Sequence, residues 1–212
     1  MISMKDGNNK EIKKLDDVKQ RISEGNHYLK LKQYESAVIC YENALELDPE
    51  NTQIWDNRGV ALAGAGRHDE AIESFEIALE FKPDNAQAWS NMGVSMGALK
   101  RFEEAINCFD RAIELNPLDS NIWNNKGTAL FSLSEYSEAL KCFNKALELD
   151  PDNAKALAGK GSALRFTGDY EEAIKSLEKF IEIAPVELSY QKEEAWAMIF
   201  DIKLFLNRKS KN

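Results

Sequence analysis

Residues 120–153 read SNIWNNKGTALFSLSEYSEALKCFNKALELDPDN. Ile122, Trp123, Ala129, Leu130 and Leu133 recur at the three-to-four-residue spacing of a single helical face. Tyr136, Ala139, Leu140, Phe143, Ala146 and Leu147 repeat that spacing and form a second face. Pro151 cannot continue the second helix, and Asp152 and Asn153 suit a turn followed by a new N-cap. The stretch therefore predicts a helix, a turn and a helix.

Working outward, the same letters return every 34 residues. Trp55, Trp89 and Trp123 are one step apart, as are Gly25, Gly59, Gly93, Gly127 and Gly161. So are Ala37, Ala71, Ala105, Ala139 and Ala173, and also Tyr41, Phe75, Phe109, Phe143 and Leu177. All five prolines, Pro49, Pro83, Pro117, Pro151 and Pro185, fall on this period. The units run 18–51, 52–85, 86–119, 120–153 and 154–187 and account for about four-fifths of the chain. Glycine and polar residues separate the halves of most units, as at Gly64, Gly66 and Gly168.

The pattern of Trp89, Gly93, Ala105, Phe109, Ala112 and Pro117 resembles the tetratricopeptide repeat (TPR) family. The end units depart from it. Arg21 and Leu157 stand where Trp would sit, and Phe180 replaces the last Ala, as expected where a repeat lacks a neighbour on one side. Arg58, Met92, Lys126 and Lys160 occupy the usual leucine slot, where alkyl stems can cover apolar surface while the charge reaches water.

The expected architecture is all-α: a right-handed α-solenoid of five TPR helix-turn-helix units, the array spanning 11–187, closed by a capping helix over 188–207. Residues 1–10 read as a disordered start and 208–212 as a solvated basic tail. Ile12, Leu15, Val18 and Ile22 are expected to lengthen the first helix and cover the N-terminal edge. The apolar arc over 195–206 is wide for a capping helix. It raises a homodimer contact through Phe205 or Leu206 as an alternative.

Composition narrows the function. Hydrophobic residues make up 43% and charged residues 30%, which indicates a globular chain. The net charge of −9 argues against nucleic acid as a partner. No signal peptide and no membrane-length apolar run is visible, so a cytoplasmic location is expected. Cys40, Cys108 and Cys142 share one slot, filled by Ser74 and Ser176 in the other units. About 10 Å of helix width between neighbours would exclude shared zinc ligation or a disulfide. His27 and His68 lack a ligand pattern and read as surface residues. Glu103–Glu104 and Glu171–Glu172 fall at helix starts, where acids complement the dipole. No phosphate-binding loop or nucleophile elbow occurs, so neither catalysis, a metal nor a cofactor is expected.

The resemblance implies that the first helix of each unit lines a concave face where peptides bind. On that frame Asn57, Asn91 and Asn125 form a ladder whose carboxamides can pair with a peptide backbone. Asn26, Asn121, Asn124, Lys155, Arg165, Val60, Val94 and Phe131 complete the expected groove. Lys19, Lys30, Lys155 and Arg165 against Asp56 make it the least negative surface, suited to an acidic segment. A heat-shock carboxylate clamp is not expected, because Ile22, Gln87 and Asn91 occupy its cationic positions. The reading is a non-enzymatic adaptor or scaffold that binds a protein or peptide. The alternatives are a self-assembling structural protein and the recognition subunit of an enzyme complex.

Overall fold

The computed structural model describes the backbone of residues 2–210 and the side chains of residues 13–210. Eleven α-helices occur among these residues: α1 (Ile2–Lys30), α2 (Tyr34–Leu45), α3 (Thr52–Gly64), α4 (His68–Phe81), α5 (Ala86–Ala98), α6 (Phe102–Leu115), α7 (Ser120–Ser132), α8 (Tyr136–Leu149), α9 (Ala154–Thr167), α10 (Tyr170–Ile183) and α11 (Ser189–Lys209). A 3₁₀ turn, Val186–Leu188, precedes α11. The chain forms two compact units that meet in sequence at Arg101 and Phe102, inside the third period. The first holds α1 to α5 and the second α6 to α11.

In the first unit α1 packs on α2 and α3 on α4, with α2 against α3 and α4 against α5. The first helices are also neighbours, α1 beside α3 and α3 beside α5. In the second unit the chain of contacts runs from α6 through α7, α8, α9 and α10 to α11, and α7 also touches α9.

Two local devices recur every 34 residues. Asn51, Asn85, Asp119 and Asn153 cap α3, α5, α7 and α9, each side chain accepting from a backbone N–H of the first turn. The turn after each first helix contains a left-handed residue: Lys32, Gly66, Lys100, Ser134 and Gly168 all have positive φ. Three of these are not glycine, although a side chain disfavours that conformation by about 1–2 kcal/mol.

The 34-residue glycines have a packing cause. A Cβ built on Gly59 would lie 2.5 Å from the Phe75 ring, and one on Gly127 2.8 Å from Phe143. Gly25 meets Tyr41 and Gly161 meets Leu177 in the same way. Each large residue of a second helix is therefore seated on a glycine of its own first helix. Phe143 also abuts Gly159, and is sealed by Leu130, Ala139, Ala146, Ala156 and Ala163.

Both ends differ from the sequence reading. α1 begins at Ile2, so residues 2–10, expected to be disordered, continue the helix; no proline interrupts them. Val18 is buried and Ile22 half-buried, but Leu15 is exposed, and the Ile12 side chain lies outside the described residues. At the other end Arg208 and Lys209 form the last turn of α11, where cations complement the helix dipole. Lys211 and Asn212 of the expected tail lie outside the described residues, as does Met1.

Candidate functional site

In the first unit the expected ladder residues are engaged with one another. Asn26 Oδ1 accepts from Tyr41 OH at 2.7 Å and from Asn57 Nδ2 at 3.3 Å. Asn57 Oδ1 accepts from Gln53 and Asn91 Oδ1 from Gln87. Asn91 also hydrogen-bonds the carboxyl group of Asp56. These bonds link α1 to α3 and α3 to α5. The carboxamides thus brace adjacent first helices. Tyr41 is fully buried, and burial pushes its phenol up to about 12, so it stays a donor to Asn26.

Asp56 is buried, and burial raises its carboxyl above the ordinary value, an effect the Asn91 bond partly offsets. Its Oδ1 has no partner among the described residues. Asp56 is buried, whereas Lys19 and Lys30 are exposed. Val60 is half-buried, and Val94 is exposed.

In the second unit Asn124 takes the slot of Asp56. It is buried, donates Nδ2 to Asn125 Oδ1 at 3.2 Å, and leaves its own Oδ1 without a described partner. Asn121 is exposed and Asn125 half-buried. The ladder ends there, because the next slot is Gly159 and the Phe143 ring occupies the space of a side chain. Lys155 and Arg165 are exposed on α9.

An aromatic cluster lies at the ends of these first helices. Phe166 stacks on Tyr136 with centroids 4.5 Å apart and planes 7° from parallel, and Phe131 meets both rings edge-on. Phe166 is nevertheless 54% exposed, and the Arg165 guanidinium sits 5.8 Å from its ring centre. Beyond it a cleft of about 320 Å³ is lined by Arg165, Phe166, Tyr170, Asp201, Ile202 and Phe205. Phe205 rests on Tyr170, with centroids 5.1 Å apart. The first unit also has a cleft of about 320 Å³, lined by Lys32, Gln33, Tyr34, Glu35, Ser36 and Ala65, but a single aromatic ring borders it. Gly64 occupies the slot of Phe166, and Tyr34 lies flush over it.

Sequence reasoning placed Phe131 and Arg165 on this face but missed Tyr170 and the contribution of α11. Those residues become neighbours only once α11 docks on α10. Of the two residues expected at a dimer contact, Phe205 remains 47% exposed. Leu206 packs inward against Leu164, Ala173 and Ile202, and Phe205 closes the cleft.

The cysteines do not form a reactive centre. Cys108 and Cys142 are buried and Cys40 is half-buried. Burial raises the Cys40 and Cys142 thiols, which keeps them protonated at neutral pH. His68 is half-buried at the start of α4, with Nδ1 shielded, not the surface residue expected. No group of three or more potential metal ligands occurs among the described residues, and no described helix is long and apolar enough to cross a membrane.

Comparison with known proteins accords with this architecture. Tetratricopeptide repeat models match residues 22–86, 86–118, 120–153 and 142–175. The chain belongs to the tetratricopeptide repeat family, whose members are protein–protein interaction modules. It is similar to the small glutamine-rich tetratricopeptide repeat-containing protein beta of Homo sapiens, 37% identical over 60 residues. That match spans 28% of this chain and only 19% of the human protein. Among solved structures, residues 41 to the end of MamA from Desulfovibrio magneticus superpose with a TM-score of 0.72 at 20% identity, covering 79% of this chain and 95% of that one. YrrB, described as a TPR protein with an unusual peptide-binding site, gives 0.65 at 26% identity over 84% of this chain and 90% of its own.

Proposed function

We propose that this protein is a non-enzymatic cytoplasmic adaptor that holds a partner's peptide segment on the first-helix face of residues 102–212. The observation that carries the reading is the half-exposed Phe166, stacked on Tyr136 beside Arg165 at the mouth of an aromatic cleft. A ring that packs on one side and faces water on the other offers contact area at small entropic cost. Arg165 and Lys155 add cationic donors for a carboxylate on the same segment. Asn121 and Asn125 supply carboxamides for its backbone, and Phe131 supports the platform. The peptide-binding site reported for YrrB supports a peptide as the class of ligand.

In the first unit Asn26, Asn57 and Asn91 are occupied in bracing, so Val60, Val94 and these amides form a secondary contact face at most. The preferred segment carries an aromatic or large apolar anchor next to an acidic residue. A peptide-display selection on the full chain tests this. The expected winners combine those features and lose at least tenfold in affinity when Arg165→Glu and Phe166→Ala are combined, with helical content retained and the thermal midpoint lowered by only a few degrees. Winners that bind the double variant as tightly as the wild type would overturn the proposal.

A further inference from the structure

Of the thirteen exposed large hydrophobic side chains among the described residues, six fall within residues 186–205. Helix α11 accounts for this with two apolar faces. Ala195, Ile199 and Ile202 are buried, and Leu206 is packed beside them. On the opposite side Trp196, Phe200 and Leu204, spaced four residues apart, are 55%, 67% and 40% exposed. Residues at that spacing lie one above another on a helix. Tyr190 and Val186 are exposed as well but lie off this row, Val186 in the preceding 3₁₀ turn.

Lys192, half-buried, continues the row one turn before Trp196, and Arg208 stands one turn after Leu204. Glu193 lies within the row near its N-terminal end, with Glu194 beside it, and both are exposed. Asn207 and Arg208 flank the C-terminal end, with Lys209 following, all exposed. Lys203 is committed to Glu178 of α10 at 3.2 Å. A parallel pairing of two such rows would set Glu193 against Glu193 and Arg208 against Arg208. An antiparallel pairing centred on Phe200 instead brings Trp196 over Leu204, and sets Glu193 opposite Asn207 and beside Arg208, leaving Lys192 with Arg208 as the like pair. Opposed helix dipoles favour the same arrangement.

We infer that the exposed face of α11 is a self-association surface, and that its occupant is the α11 of a second copy of this chain in a two-fold antiparallel pair. A two-fold axis at Phe200 makes the patch complementary to itself, as an isologous interface requires. One helix face is smaller than the roughly 800 Å² per partner of a typical stable interface, so the dimer dissociates in the micromolar range. The cleft residues Arg165, Phe166 and Tyr170 are not used, so this inference stands or falls separately from peptide binding.

Sedimentation velocity on the full chain between about 1 and 200 µM tests it, a range that brackets a micromolar equilibrium. The wild type is expected to shift from monomer to dimer, and Trp196→Glu with Phe200→Glu to stay monomeric with unchanged helical content and thermal midpoint. Glu193→Arg alone should weaken the dimer about tenfold, since the two-fold repeats an exposed charge pair worth about three- to fivefold. Adding Arg208→Glu should restore it. The inference is overturned by a wild type that remains monomeric throughout, including one that instead binds an unrelated protein through this face. It is equally overturned by a dimer that survives the double glutamate variant, or by charge reversal that the second substitution does not rescue.

Discussion

The indole nitrogen of Trp55 donates to the backbone carbonyl of Pro49 at 2.7 Å. The same bond joins Trp89 to Pro83 at 3.0 Å and Trp123 to Pro117 at 2.9 Å. The proline ends one repeat and the tryptophan opens the next, so the bond ties the turn to the helix that follows. Where Leu157 replaces the tryptophan, the Pro151 carbonyl is not left vacant. Lys179 reaches it from α10 at 2.6 Å. The carbonyl thus keeps a donor even where the repeat pattern lapses.

Replacing Trp123 with Phe retains most of the ring and removes the donor. The expected cost is about 1 kcal/mol, the usual net value of a hydrogen bond, read as a lower urea midpoint at constant slope. Lys179→Met, at an exposed site, should cost less.

Ser134 holds the left-handed turn between α7 and α8 with φ 64°. Ser134→Gly removes the side-chain penalty there, and Gly168 already fills the equivalent turn one repeat later. A gain of about 1 kcal/mol, or about 2–4 °C in the thermal midpoint, is expected by calorimetry.

Gly127→Ala places a methyl group 2.8 Å from a buried ring that is also hemmed in by Gly159. Overpacking of this kind costs about 1–3 kcal/mol. Phe143→Leu in the same chain should recover part of it, since the pair Gly161 and Leu177 already uses leucine in that role.

The buried Asp56 sets a pH dependence. Its carboxyl titrates above the ordinary 3.8, so the folded state binds this proton more tightly than the unfolded chain does. Stability from this group is fully present below the ordinary value and is lost as pH rises through the raised one. Asp56→Asn, which copies Asn124 of the fourth repeat, should match the wild type in acid and exceed it at neutral pH. Urea midpoints measured across that range check the sign.

Much of this was legible in the sequence because the period pairs residues that touch. Trp with Pro and Gly with Phe recur together since each pair is one contact. Arg58, in a slot where leucine is usual, keeps its side chain only 16% exposed and its guanidinium on Glu42 at 2.9 Å. Lys126 does the same with Asp110. The candidate site was less legible. A carboxamide ladder reads identically whether it awaits a peptide or braces its neighbours, and only the positions of Asn26, Asn57 and Asp56 separate the two. The wide apolar arc of α11 was visible too. Which side docks depends on the surface of α10, which takes Leu206 and leaves Trp196, Phe200 and Leu204 exposed.

The most direct test of the adaptor reading is an NMR titration of the full chain with a display-selected peptide. Shifts concentrated at Phe131, Lys155, Arg165, Phe166 and Tyr170 are expected. Shifts confined to the outer faces of α8 and α10, with those five residues unmoved, would contradict it.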